Sequence, residues 1–190
     1  MASEVGICNR ALQRVGAARI TSLADDNKNA RACNAAYEPL RDAALRAHPW
    51  SFAISRAALA ADVTAPVGDG DELRSYQYPW PTDALRILLP KDGGVDWIVE
   101  GRYILSDWTA PLYVRYIAQV TDPNTMDPLF REYLSAYIAQ EICEELTQSN
   151  NKKASAQQDM AAIVAEARRT NAIERLPASP PDGSWDTVRL

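Results

Sequence analysis

His48 is the only histidine in the chain, so any imidazole-based proton transfer would have to run through it. A Ser-His-Asp or Cys-His machine needs a nucleophile beside the base and an acid that orients it. The sequence has no Gly-x-Ser-x-Gly word to supply that nucleophile. His48 instead precedes Pro49 at the end of a helical pattern, where its ring can meet the last free carbonyls of the helix. Cys8, Cys33 and Cys143 are widely spaced and form no Cys-x-x-Cys pair, so with one histidine they do not make a structural zinc set. They read as small buried hydrophobes on helix faces. Carboxylates are plentiful, as at Glu141, Glu144 and Glu145, and a hydrolase would need two converging acids with separated pKa values. Glu141 and Glu145 lie one helical turn apart beside an apolar stripe, which reads as a solvated or interface edge. Gly93-Gly94 is an isolated turn signal without the Lys-Ser/Thr of a phosphate loop. No catalytic, cofactor-binding or metal-ligating residue is expected.

The elements that would position these residues begin with a helix over about 3–16. Ser3 is its N-cap, Val5, Cys8, Ala11, Leu12 and Val15 form its stripe, and Gly16 stops it. Asp25-Asp26-Asn27 offers caps for a second helix over about 26–48, with Ala30, Cys33, Tyr37, Leu40 and Ala44 on one face. Pro39 falls inside that pattern, so a kink or break is expected there, and Pro49 enforces the end. Asp127-Pro128 opens a third helix over about 127–149 with a cap followed by proline at the first helical position. Its stripe is Phe130, Leu134, Tyr137, Ile138, Ile142 and Leu146. A fourth helix over about 152–175 carries Met160, Ile163, Val164 and Ala167, with Ser155 and Gln158 as a capping box near its start. Arg168, Arg169 and Arg175 make its end basic, as suits the helix dipole.

Between about 50 and 118 the periodicity changes. Leu85–Leu89, Trp97–Val99, Tyr103–Leu105 and Leu112–Ile117 are short, β-branched or aromatic, and separated by Gly, Pro and Asp. Glu100-Gly101 marks a tight hairpin turn, and the stretch from Asp62 to Asp71 an exposed loop. The fold class is therefore α+β: a helical bundle formed by the N- and C-terminal helices, with a small antiparallel β-sheet insertion. Residues 1–176 make a single domain, and 177–190, rich in proline, read as an extended arm. Trp50, Trp80, Trp97, Trp108 and Trp185 are the five tryptophans. Trp80, Trp97 and Trp108 fall in the sheet region, where core packing is expected. Trp185 stands in the arm, which has no core of its own, and tryptophan is a preferred interface anchor. Trp185, with Pro180, Pro181 and Leu190, is the subunit-interface candidate.

The formal net charge is −5, unlike that of a protein that neutralises many phosphates. The arginines and aromatics of the sheet region are interrupted throughout by Asp and Glu, so they read as a packed sheet rather than a base-stacking platform. The first residues, Met1-Ala2-Ser3-Glu4-Val5, carry no signal-peptide pattern, and no apolar run reaches membrane-spanning length. A protein made and kept in the cytoplasm until assembly is expected.

A spaced series of short words runs along the chain. They are Asn9-Arg10-Ala11-Leu12 with Val15-Gly16, Tyr37 with Leu40-Arg41-Asp42, and His48-Pro49-Trp50-Ser51-Phe52-Ala53. Tyr76-Gln77-Tyr78, Pro81-Thr82-Asp83-Ala84-Leu85-Arg86, Val99-Glu100-Gly101-Arg102 and Asp127-Pro128-Leu129-Phe130 follow. In order and spacing the series resembles the head-to-tail adaptors of short-tailed bacteriophages, the tail tubular protein A or gp4-like tail accessory factors. Pro79-Trp80-Pro81 departs from that pattern by doubling a proline, which leaves the sheet register open. The resemblance implies a structural virion protein at the capsid–tail junction, synthesised in the host bacterial cytoplasm. It implies a homo-oligomeric ring of about twelve subunits, a dodecamer, built on one repeated heterologous contact. The implied partners are the portal protein above and the tail nozzle or next tail component below. Duplex DNA would pass through the channel along a neutral to acidic, helix-lined wall without specific binding. The rival readings are a tail-associated peptidoglycan hydrolase and a non-viral soluble binding module.

Overall fold

The structure is a computed structural model that describes residues 1–64, 66, 74–88 and 96–174. Its helices are α1 (Glu4–Val15), α2 (Lys28–Ala47), α3 (Pro128–Thr147) and α4 (Asn150–Ile173). Between α2 and α3 lie β1 (Ile54–Leu59), β2 (Tyr76–Pro79), β3 (Ala84–Leu88), β4 (Trp97–Glu100), β5 (Tyr103–Ser106) and β6 (Leu112–Ala118). The fold is α+β, as the periodicities require.

The helix boundaries follow from local chemistry. The Ser3 hydroxyl accepts the Gly6 N–H, and Gly16 closes α1 at φ 78°, a left-handed conformation open to glycine. Asn27, the last of the three candidate caps, accepts the Ala30 N–H and starts α2. Asp127 accepts from Leu129 and Phe130 ahead of Pro128 and starts α3. The start of α4 differs from expectation: Ser149 caps it through Lys152, so the helix opens at Asn150 and Ser155-Gln158 lies inside it. Gln148 in the left-handed region ends α3 and turns the chain directly into that cap. Arg168 and Arg169 fall short of the last turn of α4, which carries no basic residue.

Pro39 does not break α2, which runs through it to Ala47. Pro39 and Ala35, whose carbonyl loses its partner, are both exposed, so water can satisfy that group. Buried Cys33, Ala36 and Tyr37 before the proline, and Ala44 and Leu45 after it, anchor both halves to one core.

α3 is the central helix and packs against α1, α2 and α4. That position buries Phe130, Leu134, Ile138 and Ile142 of the predicted stripe, and also Tyr133, Ser135, Ala136, Ala139 and Cys143 around it. Arg10 and Arg14 of α1 converge on Glu132 of α3 at 3.3 and 2.6 Å. Lys152 donates to the Val15 carbonyl at 3.2 Å, satisfying a free acceptor at the end of α1.

The insertion holds two three-stranded antiparallel sheets where the sequence suggested one, ordered β1-β6-β3 and β2-β5-β4. Register explains how they share the molecule. On β6, Leu112, Val114 and Tyr116 face one way with Leu59, Ala57 and Ile87, and together with Tyr78 and Ile104 they form a core between the sheets. Ile117 faces the other way and joins the helical core. The expected strands are present, and two more, β1 and β2, complete the sheets. Pro79 ends β2, an edge strand, where a missing N–H costs no ladder bond. Gly101 opens the two-residue turn between β4 and β5 at φ 56°.

Candidate functional site

The most constrained polar constellation gathers where α2 hands the chain to the sheets. Pro49 cannot extend the helix, and His48 leaves it in extended geometry. The chain then curls through a 3-10 turn at Ser51–Ala53, which swings Trp50 under the bundle until only 1% of it is exposed. Its indole N–H donates to the Ala44 carbonyl at 3.0 Å. The Ala44 carbonyl, one of the last of the helix, is thus taken by Trp50. The Trp50 ring meets Phe130 edge-on at 5.1 Å and His48 at 4.7 Å, and Phe52 meets Phe130 at 5.0 Å.

Asn171, buried on α4, closes this segment from the other side. Its carbonyl oxygen accepts both the N–H and the hydroxyl of Ser51 at 2.8 Å. That fixes the amide orientation, so Nδ2 points to His48 Nε2 at 3.0 Å and to the Pro49 carbonyl at 3.4 Å. His48 Nε2 therefore acts as the acceptor, with the ring proton on Nδ1. Nothing in the sequence pattern marked Asn171. A lone asparagine in the last turns of a helix is common, and only its burial reveals the role. Beside it, Trp50, Ser51, Phe52, Thr125, Met126, Asp127, Thr170, Asn171 and Glu174 enclose a cavity of about 390 Å³.

The other words of the series also fall at joints. Asn9 brackets Ile20, donating to its carbonyl at 2.9 Å and accepting its N–H at 2.8 Å, and so pins the α1–α2 connection. Arg41 is 3% exposed, pairs with Asp42 at 2.9 Å and lies over the Tyr37 ring. Asp42 in turn accepts from Gln119 at 2.7 Å, tying α2 to the end of β6. Asp83 accepts from Tyr116 at 3.2 Å, and Arg102 covers the Trp80 ring while donating to the Pro81 carbonyl.

The candidate chemistry does not converge. Glu141 and Glu145 are exposed on α3, and Glu144 pairs with Lys153, whose hydrogen bond and charge hold its carboxyl below the ordinary range. Phe130, against which the His48 segment packs, lies eleven residues before Glu141, about 17 Å along the helix. Cys8, Cys33 and Cys143 are free and buried. A hydrogen bond to Cys33, and then burial, push the Cys8 thiol up. Among the described residues no group of His, Cys, Asp and Glu could hold a metal ion, and no helix is long and apolar enough to cross a membrane.

Trp80 and Trp97 pack against the inter-sheet core, as expected. Trp108 does not: it is 53% exposed, while its carbonyl accepts the Tyr78 hydroxyl. Tyr113, exposed on β6 at 74%, was likewise not anticipated. Gly93, Gly94, Arg175, most of the stretch from Asp62 to Asp71, and the arm candidates Pro180, Pro181, Trp185 and Leu190 lie outside the described residues. No protein-family model matches the chain, and no curated protein matches it.

Proposed function

We propose that this chain is the ring subunit of a head-to-tail adaptor in a short-tailed bacteriophage, docking on the portal and carrying the tail nozzle around the DNA channel. The observation that supports the reading best is the ordered series of words from Asn9 to Phe130, whose residues occupy the joints of the fold. Asn9 pins a connection, Trp50 locks the exit from α2, Asp42 ties helix to sheet, and Asp127 caps the central helix. A ring built on one repeated heterologous contact needs a rigid body with two different complementary faces rather than a pocket for catalysis. The helical bundle and the two-sheet insertion give such a body two structurally different parts, each with its own core.

In this reading, residues 177–190 reach a neighbour with Trp185 as anchor, and the ring has about twelve copies. DNA slides past a neutral to acidic, helix-lined wall, in keeping with the charge of −5. Cross-linking of intact virions tests the assignment: links to the portal are expected, and links confined to the distal tail tip would contradict it. Against the hydrolase reading, the purified protein is expected to leave a peptidoglycan zymogram uncleared. Clearing that is lost on Glu141→Gln or Glu145→Gln would establish that rival instead.

A further inference from the structure

We propose that the outer face of the β1-β6-β3 sheet is a docking surface for an extended acidic segment, rich in Asp and Glu, of a partner protein.

Each strand of this sheet carries one arginine, and none carries an aspartate or glutamate. The register puts all three arginines on one side. Leu112, Val114 and Tyr116 of β6 point into the inter-sheet core, so Tyr113 and Arg115 point away from it. Arg56 lies directly opposite Arg115, and Ala58 opposite Tyr113, so β1 presents these residues on the same side. On β3, Ile87 pairs with Tyr116 in the core, which turns Arg86, opposite Ile117, outward as well. The last turn of α2 meets this edge. The Arg46 guanidinium donates to the Leu85 carbonyl, and Arg86 returns a bond to the Arg46 carbonyl at 3.4 Å. Arg46, Arg86, Arg115, Arg56 and Tyr113 thus form one stripe. Directly opposed side chains on such a face start about 5 Å apart and diagonal ones about 7–8 Å. From the Ile117 row to Tyr113 the stripe covers about 13 Å of strand, the length of roughly four extended residues.

The charge of this stripe calls for a counter-charge from outside. Arg46, Arg56 and Arg86 are exposed, and among the described residues none of the three pairs with a carboxylate. The bonds of Arg46 and Arg86 go to main-chain carbonyls, which orient a guanidinium without neutralising it. Like charges directly opposite each other, as at Arg56 and Arg115, destabilise a sheet, and a carboxylate laid across them turns that cost into a gain. The guanidinium fork suits carboxylates, which it can hold through two parallel bonds. Tyr113, 74% exposed, adds an aromatic beside the charges, and Tyr and Arg are enriched among the anchors of protein interfaces.

Nucleic acid fits this face less well. Stacking of successive bases needs several aromatics, and among the described residues the three strands place only Tyr113 on this side. The net charge of −5 also opposes the approach of a long polyanion. A short acidic segment responds mainly to charges within a Debye length, about 8 Å at physiological salt, and the stripe dominates there.

The test follows the fluorescence anisotropy of a fluorescein-labelled octaglutamate peptide titrated with the full chain. The expected result is saturable binding that an octaglutamine peptide does not show. Arg56→Gln and Arg86→Gln should each raise Kd about three- to tenfold. Arg19→Gln combined with Arg169→Gln removes two exposed arginines elsewhere and should leave Kd unchanged. Equal weakening by both sets would reduce the effect to net charge and overturn the proposal, as would a lack of binding. A labelled thymidine dodecamer that binds more tightly than octaglutamate, and loses affinity in the same variants, would assign the face to nucleic acid instead. If Arg86→Gln disturbs the contact with α2, Arg56→Gln and amide chemical shifts decide. Shifts induced in the wild type by octaglutamate should concentrate on β1 and β6, and shifts centred elsewhere overturn the proposal. Binding is read on the chain without a portal, so its outcome is separate from that of the adaptor assignment.

Discussion

The side-chain amide of Asn171 lies 3.0 Å from Nε2 of His48 and holds the amide and hydroxyl of Ser51 with its oxygen, so that one residue of α4 clasps the whole exit from α2. Both groups are remote in sequence, and the clasp fastens the C-terminal helix to the start of the sheet insertion. It is a polar network whose members are paired, the condition under which burying polar groups is tolerable.

Replacing Asn171 with leucine removes these bonds and strands the Ser51 N–H in a half-buried site. The expected loss is about 2–4 kcal/mol, read as a lower midpoint in urea unfolding at unchanged slope. A change under a few tenths of that would mean that water substitutes for the amide.

Trp50→Phe separates the packing of the indole from its hydrogen bond. The ring contacts with Phe130 and Phe52 are largely kept, while the Ala44 carbonyl loses its donor, at an expected cost of about 1–3 kcal/mol. Trp50→Ala should cost about 3–5 kcal/mol, because it also opens a cavity in the aromatic cluster. Equal losses in the two variants would show that the indole N–H carries the effect and the packing little.

Asn9→Ala leaves both backbone groups of Ile20 without their side-chain partner. The expected destabilisation is about 1–3 kcal/mol, and hydrogen exchange at Ile20 should rise more than exchange in the centre of α3. Uniform acceleration across both would place the effect on global unfolding alone.

The Cys8 thiol, raised by its hydrogen bond to Cys33 and by burial, gives a pH signature. Above the ordinary thiol pKa of about 8.5 the unfolded chain ionises while the native thiol keeps its proton. At Cys8 the native state then binds the extra proton, so this contribution to stability is fully present below that pH and falls as pH rises through it, while Cys33, pushed down by the same hydrogen bond, titrates in the opposite sense and offsets part of the fall. The slope is at most about 1.4 kcal/mol per pH unit for one thiol, and Cys8→Ala should flatten it. A thiol reagent at the same pH should label Cys8 only at the rate of unfolding; immediate labelling would contradict the burial.

These residues also show what the sequence could disclose. The caps Ser3, Asn27 and Asp127 and the stop at Gly16 are local, and their residue types marked them. Trp50 was visible as part of a word, but its hydrogen bond to Ala44 depends on the 3-10 turn that follows, which no periodicity encodes. β1, with the sequence Ile-Ser-Arg-Ala-Ala-Leu, lacks strand propensity and forms because β6 pairs with it along its whole length. The division into two sheets was hidden for a related reason. Strand order is a matter of long-range pairing, and β6 serves two cores from opposite faces. Asn171 was illegible because its partners lie 120 or more residues away.

The adaptor assignment itself is tested most directly by electron cryomicroscopy of the purified chain mixed with its portal ring. The account predicts a closed ring of this chain bound under the portal, coaxial with it, with the subunits repeated by one heterologous contact. A portal that stays bare at saturating concentrations of this chain, while the chain remains folded, would contradict it.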